Sequence, residues 1–271
     1  MTMWAVIAVL LFLFCFWKCE ETVHIEAKKD QKVSVKKSLK ALVTNTYFWF
    51  GMVFQAFQTV ILAITGTMLP YYCKYIFHND SWMYSAMYFV ETALMIVVSM
   101  ALCPILLRKF GKRTMSLAGI FLAFAGQCLI FINPYNPGIV FATCVIRGIG
   151  FAPMNSVFFG FMAEAVEYGQ WKSHIRQESL IFAGCTMGTK YGAGLASLIL
   201  TGLMSLGGYI ASTGGTIVQP QSAVDMIVKI YEFGPIVVWI VYIVFLLLYK
   251  LEKMYPDIMK ELAEREKRGE L

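Results

Sequence analysis

The stretch Leu180-Ile-Phe-Ala-Gly-Cys-Thr-Met-Gly-Thr-Lys190-Tyr-Gly-Ala-Gly-Leu-Ala-Ser-Leu-Ile-Leu200-Thr-Gly-Leu-Met-Ser-Leu-Gly-Gly-Tyr-Ile-Ala211 carries a single formal charge, Lys190, in 32 residues. About 20 mostly apolar residues suffice for a helix to cross a bilayer, so this run reads as a spanning helix. Six more such runs lie near residues 1–17, 47–77, 83–107, 114–132, 138–163 and 233–249, separated by short polar joints. Hydrophobic residues make up 58% of the 271-residue chain and charged residues 15%. Soluble domains average about 45–50% and about 25%, so a soluble domain, a disordered chain and a disulfide-stapled module are all excluded. An all-α integral membrane protein remains.

The distribution of charge sets the expected topology. Of 23 Lys and Arg residues, seven fall in 18–40, four in 108–113, two in 172–176 and six in 250–268. The alternate joints hold only Lys74 and Lys229. Such asymmetry places the basic segments in the cytoplasm, so the first run enters from outside and the C-terminus ends inside. The net charge of +6 therefore reports topology and calls for no nucleic acid. The first run has no basic residues before its apolar core and no small-residue cleavage site after it, which argues against a signal peptide. The seven cysteines form no CxxC pair and read as buried thiols, with no metal or disulfide framework.

The joints are legible. Tyr71, Tyr72, Tyr75, Trp82 and Tyr84 gather where the second and third runs meet, as interfacial aromatics do. Asn133-Pro-Tyr-Asn-Pro-Gly138 is a tight turn, Ala211–Asp225 a long external loop, and Cys19–Thr44 a polar, Lys-rich linker. In the tail, Glu261/Arg265 and Glu264/Arg268 at i,i+4 predict a short helix from near Pro256. Gly184, Gly188, Gly192 and Ala196 form a smooth face that admits a neighbouring backbone.

Charges inside the runs are expensive unless they meet a partner or water. Lys190 reads as lining a polar pathway, against the alternative of an ion pair with Glu91 or Glu164 that fixes helix register. Glu91 lies about eight residues into its run. Arg147 is placed to snorkel outward, and Glu232 to lie at the interface. The densest cluster, Glu164, Glu167, Tyr168, Lys172, Arg176 and Glu178, joins the fifth and sixth runs. It can form a charge-assisted network that opens or closes a gate, or a solvated turn that only anchors two helices. His24, His78 and His174 stand in separate joints, and there is neither a metal motif nor a nucleophile elbow nor a phosphate loop, so no enzyme is expected.

The joint Met162-Ala-Glu164-Ala-Val-Glu167-Tyr168-Gly-Gln-Trp-Lys172 with Ile175-Arg176-Gln-Glu178-Ser resembles the glycoside–pentoside–hexuronide:cation symporters, the melibiose-carrier group of the major facilitator superfamily. Tyr71-Tyr-Cys-Lys-Tyr75, Arg108–Arg113 and the tail from Tyr249 are similar to the same family. Glu164 and Glu167 stand where aspartates are usual, and Asn155-Ser-Val where many members carry an aromatic. The resemblance implies the C-terminal six-helix half of a twelve-helix carrier plus the preceding helix. It divides the chain into a helix over 1–17, a cytoplasmic linker over 18–45, a bundle over 46–250 and a tail over 251–271. It further implies a sugar or glycoside substrate, a coupling Na+ or H+, and no tightly bound cofactor. Lys190 would help organise the cation and sugar site, with Gln55, Gln58 and Asn155 as pathway candidates whose alternative is ordinary interhelical hydrogen bonding; Glu91 and Arg147 join the pathway candidates as charges inside the runs. The membrane would be a plasma or bacterial inner membrane. The missing N-terminal half would lie in the same or a separate chain. The alternatives are a non-transporting split half-carrier and a carrier of lipid-type substrates from the same superfamily.

Overall fold

In a computed structural model, the described residues (2–18, 34–79, 81–211 and 218–268) form ten α-helices and one 3-10 turn, with no strand among them. The chain divides into two compact units, Met1–Lys37 and Ser38–Leu271. The first contains α1 (Thr2–Lys18), an apolar 17-residue helix. Then comes α2 (Val35–Thr44), which begins in the first unit and ends in the second. The second unit continues with α3 (Thr46–Tyr75), α4 (Met83–Ala101), α5 (Cys103–Phe110) and α6 (Lys112–Cys128). The 3-10 turn Leu129–Ile132 and α7 (Pro137–Ser173), α8 (Glu178–Leu206), α9 (Gln221–Leu247) and α10 (Leu251–Lys267) complete it.

Local chemistry sets these boundaries. The Asn45 side chain accepts hydrogen bonds from the Tyr47 and Phe48 amides and starts α3, while Asn136 accepts from Gly138 and Pro137 opens α7. Gly111, at φ +78, turns the chain between α5 and α6. The third apolar run breaks at Leu102, and Pro104 sits in the first turn of the short α5. Two expectations change. The linker expected through residue 45 is helical from Val35, because Val35, Leu39 and Leu42 share one face and Leu42 is buried. The tail helix begins at Leu251, ahead of Pro256, because Leu251, Ile258 and Leu262 bury an apolar stripe. Residues 19–33 of the expected linker, 212–217 of the expected external loop and 269–271 of the expected tail lie outside the described residues.

Among the described residues, five segments are long and apolar enough to cross a membrane: α3, α4, α6 with its 3-10 turn, α7, and the stretch that begins with α9. The 29-residue α8 matches them in length but carries Lys190 and many Gly, Thr and Ser residues. In the second unit α3 and α7 touch each other at the centre. The first packs against α8 and α9, the second against α6 and α4, and α6 meets α9 behind them. Thus α4 and α8 form opposite flanks, with α3 and α7 as the floor between.

Small residues make the close contacts. A Cβ on Gly192 would stand 2.5 Å from the Ala56 carbonyl oxygen, so α8 lies backbone-to-backbone along α3, in parallel, through its Gly184–Gly188–Gly192–Ala196 face. Likewise, a Cβ on Gly148 would meet the Glu91 carbonyl oxygen at 2.5 Å. At the end carrying the basic joints, Tyr47, Phe50, Phe54, Phe161, Tyr242 and Tyr249 pack edge-on and tilted against one another and close the bundle.

Candidate functional site

The open floor between the flanks carries polar groups at two depths. Deeper toward the basic end, Gln58 on α3 donates to Asn155 on α7 at 3.4 Å. Gln58 is almost fully buried, and neither its Oε1 nor that of Gln55 has a partner among the described residues. Gln55 lies beside Gly188, whose Cβ would stand 3.1 Å from its own. Lys190 comes half a turn later on α8, on the face turned away from α3. It is exposed and has no ion pair or hydrogen bond among the described residues. Neither Glu91 nor Glu164 pairs with it, so the register-fixing ion pair considered for Lys190 does not form.

The second level lies about two helical turns further from the basic end, since Arg147 precedes Asn155 by eight residues. Arg147 Nε and Nη2 donate to the two carboxylate oxygens of Glu91 on α4 at 2.6 and 2.7 Å, a bidentate pair. Nη1 donates to Gln127 Oε1 on α6 at 3.0 Å, and Nη2 also reaches the Tyr231 hydroxyl on α9 at 3.2 Å. The Tyr231 ring lies 5.4 Å from the guanidinium carbon. The Arg147 side chain is 1% exposed and that of Glu91 15%. Arg147 therefore does not snorkel: acceptors from three other helices hold it inside. Gln127 also donates to the Tyr231 carbonyl oxygen at 2.6 Å, so one amide bridges α6, α7 and α9. Glu232, expected at the interface, is largely buried beside this bridge. A cavity of about 140 Å³ opens between α3, α4 and α7, lined by Leu62, Thr65, Tyr88, Glu91, Thr92 and Phe151 among others.

At the basic end the expected network resolves into separate parts. Glu164 pairs with Lys112 on α6 at 2.7 Å and accepts from the Tyr249 hydroxyl at 2.5 Å. Glu167 accepts from the Tyr255 hydroxyl on α10. Glu252 takes the amides of Lys112 and Arg113 at 2.7 and 3.1 Å, capping α6 from α10. Trp171 donates its indole N–H to Glu261 at 2.6 Å, and Arg265 pairs with the same carboxylate. These bonds hold the Glu261 carboxyl below the usual carboxylate range. Arg176 and Glu178 pair with each other at 3.4 Å on the exposed turn, and Arg176 also reaches Gln170. Tyr168 stacks edge-on against Tyr47 at 4.7 Å, and Lys172 donates to the Thr44 carbonyl oxygen at 2.9 Å. Glu164 and Glu167 thus bind α6, α10 and the joint between α9 and α10, whereas Lys172 reaches the end of α2 and Arg176 stays on its own turn.

Sequence reasoning did not single out Gln127, Tyr231, Lys112, Tyr249 or Tyr255. A glutamine inside an apolar run and a tyrosine beside Glu232 were the available signals. The model of the family described as MFS/sugar transport protein matches residues 1–253 of this chain. The chain belongs to that family. It is 26% identical, over 96% of its length, to an isoprimeverose transporter of Lactiplantibacillus pentosus, covering 53% of that protein. It is 28% identical over 98% of its length to a putative sulfoquinovose importer of Salmonella typhimurium, of which it covers 56%. A glucuronide carrier protein homolog of Escherichia coli is 24% identical over 97% of the chain, which covers 56% of it. The chain spans about half the length of the curated relatives it matches. As an MFS/sugar transport protein it is a multi-pass membrane protein, and the helical bundle is the fold of one such half.

Proposed function

We propose that this chain forms the C-terminal half of a sugar:cation symporter, its α3–α4–α7–α8 face meeting a companion six-helix half across a water-filled passage. The observation that carries this reading is Lys190, exposed at spanning depth and without a side-chain partner among the described residues. A lysine at the centre of a spanning helix costs about 2.5–3.5 kcal/mol when it faces lipid, a cost that water or a counter-charge from the companion half removes. Gln55, Gln58 and Asn155 add hydrogen-bonding capacity along the same floor, as sugar recognition requires. Lys190 would organise the sugar and the coupling Na+ or H+, and the basic end would face the cytoplasm of a plasma or bacterial inner membrane. Glu164 and Glu167 act as a clamp on α6, α7 and α10, and the exposed Lys172, Arg176 and Glu178 contacts form the inner gate. No bond is made or broken in the substrate.

The test is uptake of radiolabelled sugars into vesicles that hold the complete reading frame containing this chain, with any companion half co-expressed. Accumulation that depends on a sodium or proton gradient is the expected result. Absence of uptake for every sugar, with the protein inserted, would overturn the reading.

A further inference from the structure

The Glu91–Arg147 pair is too well bonded to be explained as a bystander charge, yet its two members are not equivalent. Arg147 is sealed: each of its three guanidinium nitrogens donates to Glu91, Gln127 or Tyr231, and its side chain is 1% exposed. Glu91 is the member that reaches the cavity between α3, α4 and α7, where each carboxylate oxygen has given one acceptor site to Arg147 and keeps another. Beside it the Thr92 hydroxyl has no hydrogen-bond partner among the described residues. The Thr65 hydroxyl donates backward to Ile61, which leaves its oxygen free to accept. Tyr88 and Phe151 supply aromatic walls. A cavity of about 150 Å³ takes up benzene, so 140 Å³ matches one six-membered ring.

From this geometry we propose that the cavity is a subsite for a neutral, polyhydroxylated sugar ring, with Glu91 the hydroxyl acceptor and Arg147 the positioning residue that holds it. This rests on the sugar-carrier reading and narrows its substrate class. A carboxylate at the mouth with its cation sealed behind repels uronates and sulfonates, while ring hydroxyls can donate to it directly. The alternating apolar and polar faces of a pyranose suit the combination of Phe151 and Tyr88 with Thr92 and Glu91. One turn toward the basic end from Leu62 and Phe151, the bonded Gln58 and Asn155 continue the polar lining, so a second ring of a glycoside would leave the subsite in that direction.

Two substitutions test the subsite without touching the ion pair. Leu62 is 44% exposed and lines the cavity, so Leu62→Trp fills it without disturbing the core. Thr92→Val removes a hydroxyl and keeps the volume. Competition against the best labelled sugar in vesicles is measured with a neutral hexoside, its uronate and its 6-sulfonate, for wild type and both variants, after insertion is checked by immunoblot. The neutral hexoside should compete at least about tenfold better than either anion. Leu62→Trp should weaken that competition at least about tenfold, with Thr92→Val intermediate. Anions that compete equally well, or a Leu62→Trp variant that behaves as wild type, would overturn the subsite and leave the sugar-carrier reading intact. Absence of any sugar uptake by wild type would overturn both.

Discussion

Replacement of Glu91 by alanine is the sharpest perturbation the structure offers. It removes both acceptors of a bidentate contact made at 2.6 and 2.7 Å to a guanidinium with no route to water. Among the described residues Arg147 then keeps the Gln127 amide oxygen at 3.0 Å, the Tyr231 hydroxyl at 3.2 Å and the weaker Cys144 sulfur at 3.7 Å. Stranding one member of a buried ion pair costs about 3–5 kcal/mol, whereas replacing both by apolar groups of similar volume is often neutral. Glu91→Ala should therefore lower the unfolding free energy of the detergent-solubilised protein by that amount. The double variant Glu91→Leu/Arg147→Met should recover most of the loss, a coupling of several kcal/mol in a double-mutant cycle. Denaturant unfolding followed by tryptophan fluorescence reads both. A single substitution that costs under about 1 kcal/mol, or additivity of the two, would refute the claim that Arg147 depends on Glu91.

Other outcomes follow from the same geometry. Gly192→Val should push α8 off α3 and destabilise the bundle by about 1–3 kcal/mol or more, because the Ala56 carbonyl that would clash is backbone and cannot rotate away; unfolding of the variant checks it. Lys190→Ala should leave insertion and unfolding unchanged but abolish gradient-driven uptake, and normal accumulation would remove Lys190 from the mechanism. The Glu261 carboxyl is held below its ordinary value, so its bonds to Trp171 and Arg265 stabilise α10 docking above the unfolded-state value near 4.3. That contribution should fade as pH falls through the lower folded value. A fluorescence change of Trp171 below about pH 4, absent in Glu261→Gln, reports it.

The apolar runs made the spanning helices legible because a bilayer demands about 20 uninterrupted apolar residues and tolerates few exceptions. The Gly184–Ala196 stripe likewise announced a close neighbour, since a face without large side chains lets another helix approach, and the Phe48 ring and the Met52 and Ala56 carbonyls fill it. Which helix it met was not legible, and neither were the long-range pairs. Glu91 and Arg147 stand 56 residues apart, on helices whose azimuth no soluble-type pattern reveals, because both the lipid face and the core are apolar. Neighbouring positions in sequence left the cluster open between one gate network and a solvated anchoring turn. A helix that ends at Ser173 sends Glu164 and Glu167 inward to α6 and α10 and leaves Arg176 outside. Lys112 and Tyr249, the actual partners of Glu164, lie in segments that resemble the family, but their distance in sequence hides that they converge on one carboxylate.

The proposed water-filled passage stands or falls on the surroundings of Lys190. Lys190→Cys in vesicles should react with a water-soluble maleimide, because thiolate forms only where water reaches it, and saturating sugar should slow the reaction. Val237→Cys, exposed on α9 on the other side of the bundle, should stay unmodified in the bilayer. Labelling at 190 and not at 237 is the predicted result; a residue 190 as inert as 237 would place α8 against lipid and contradict the account.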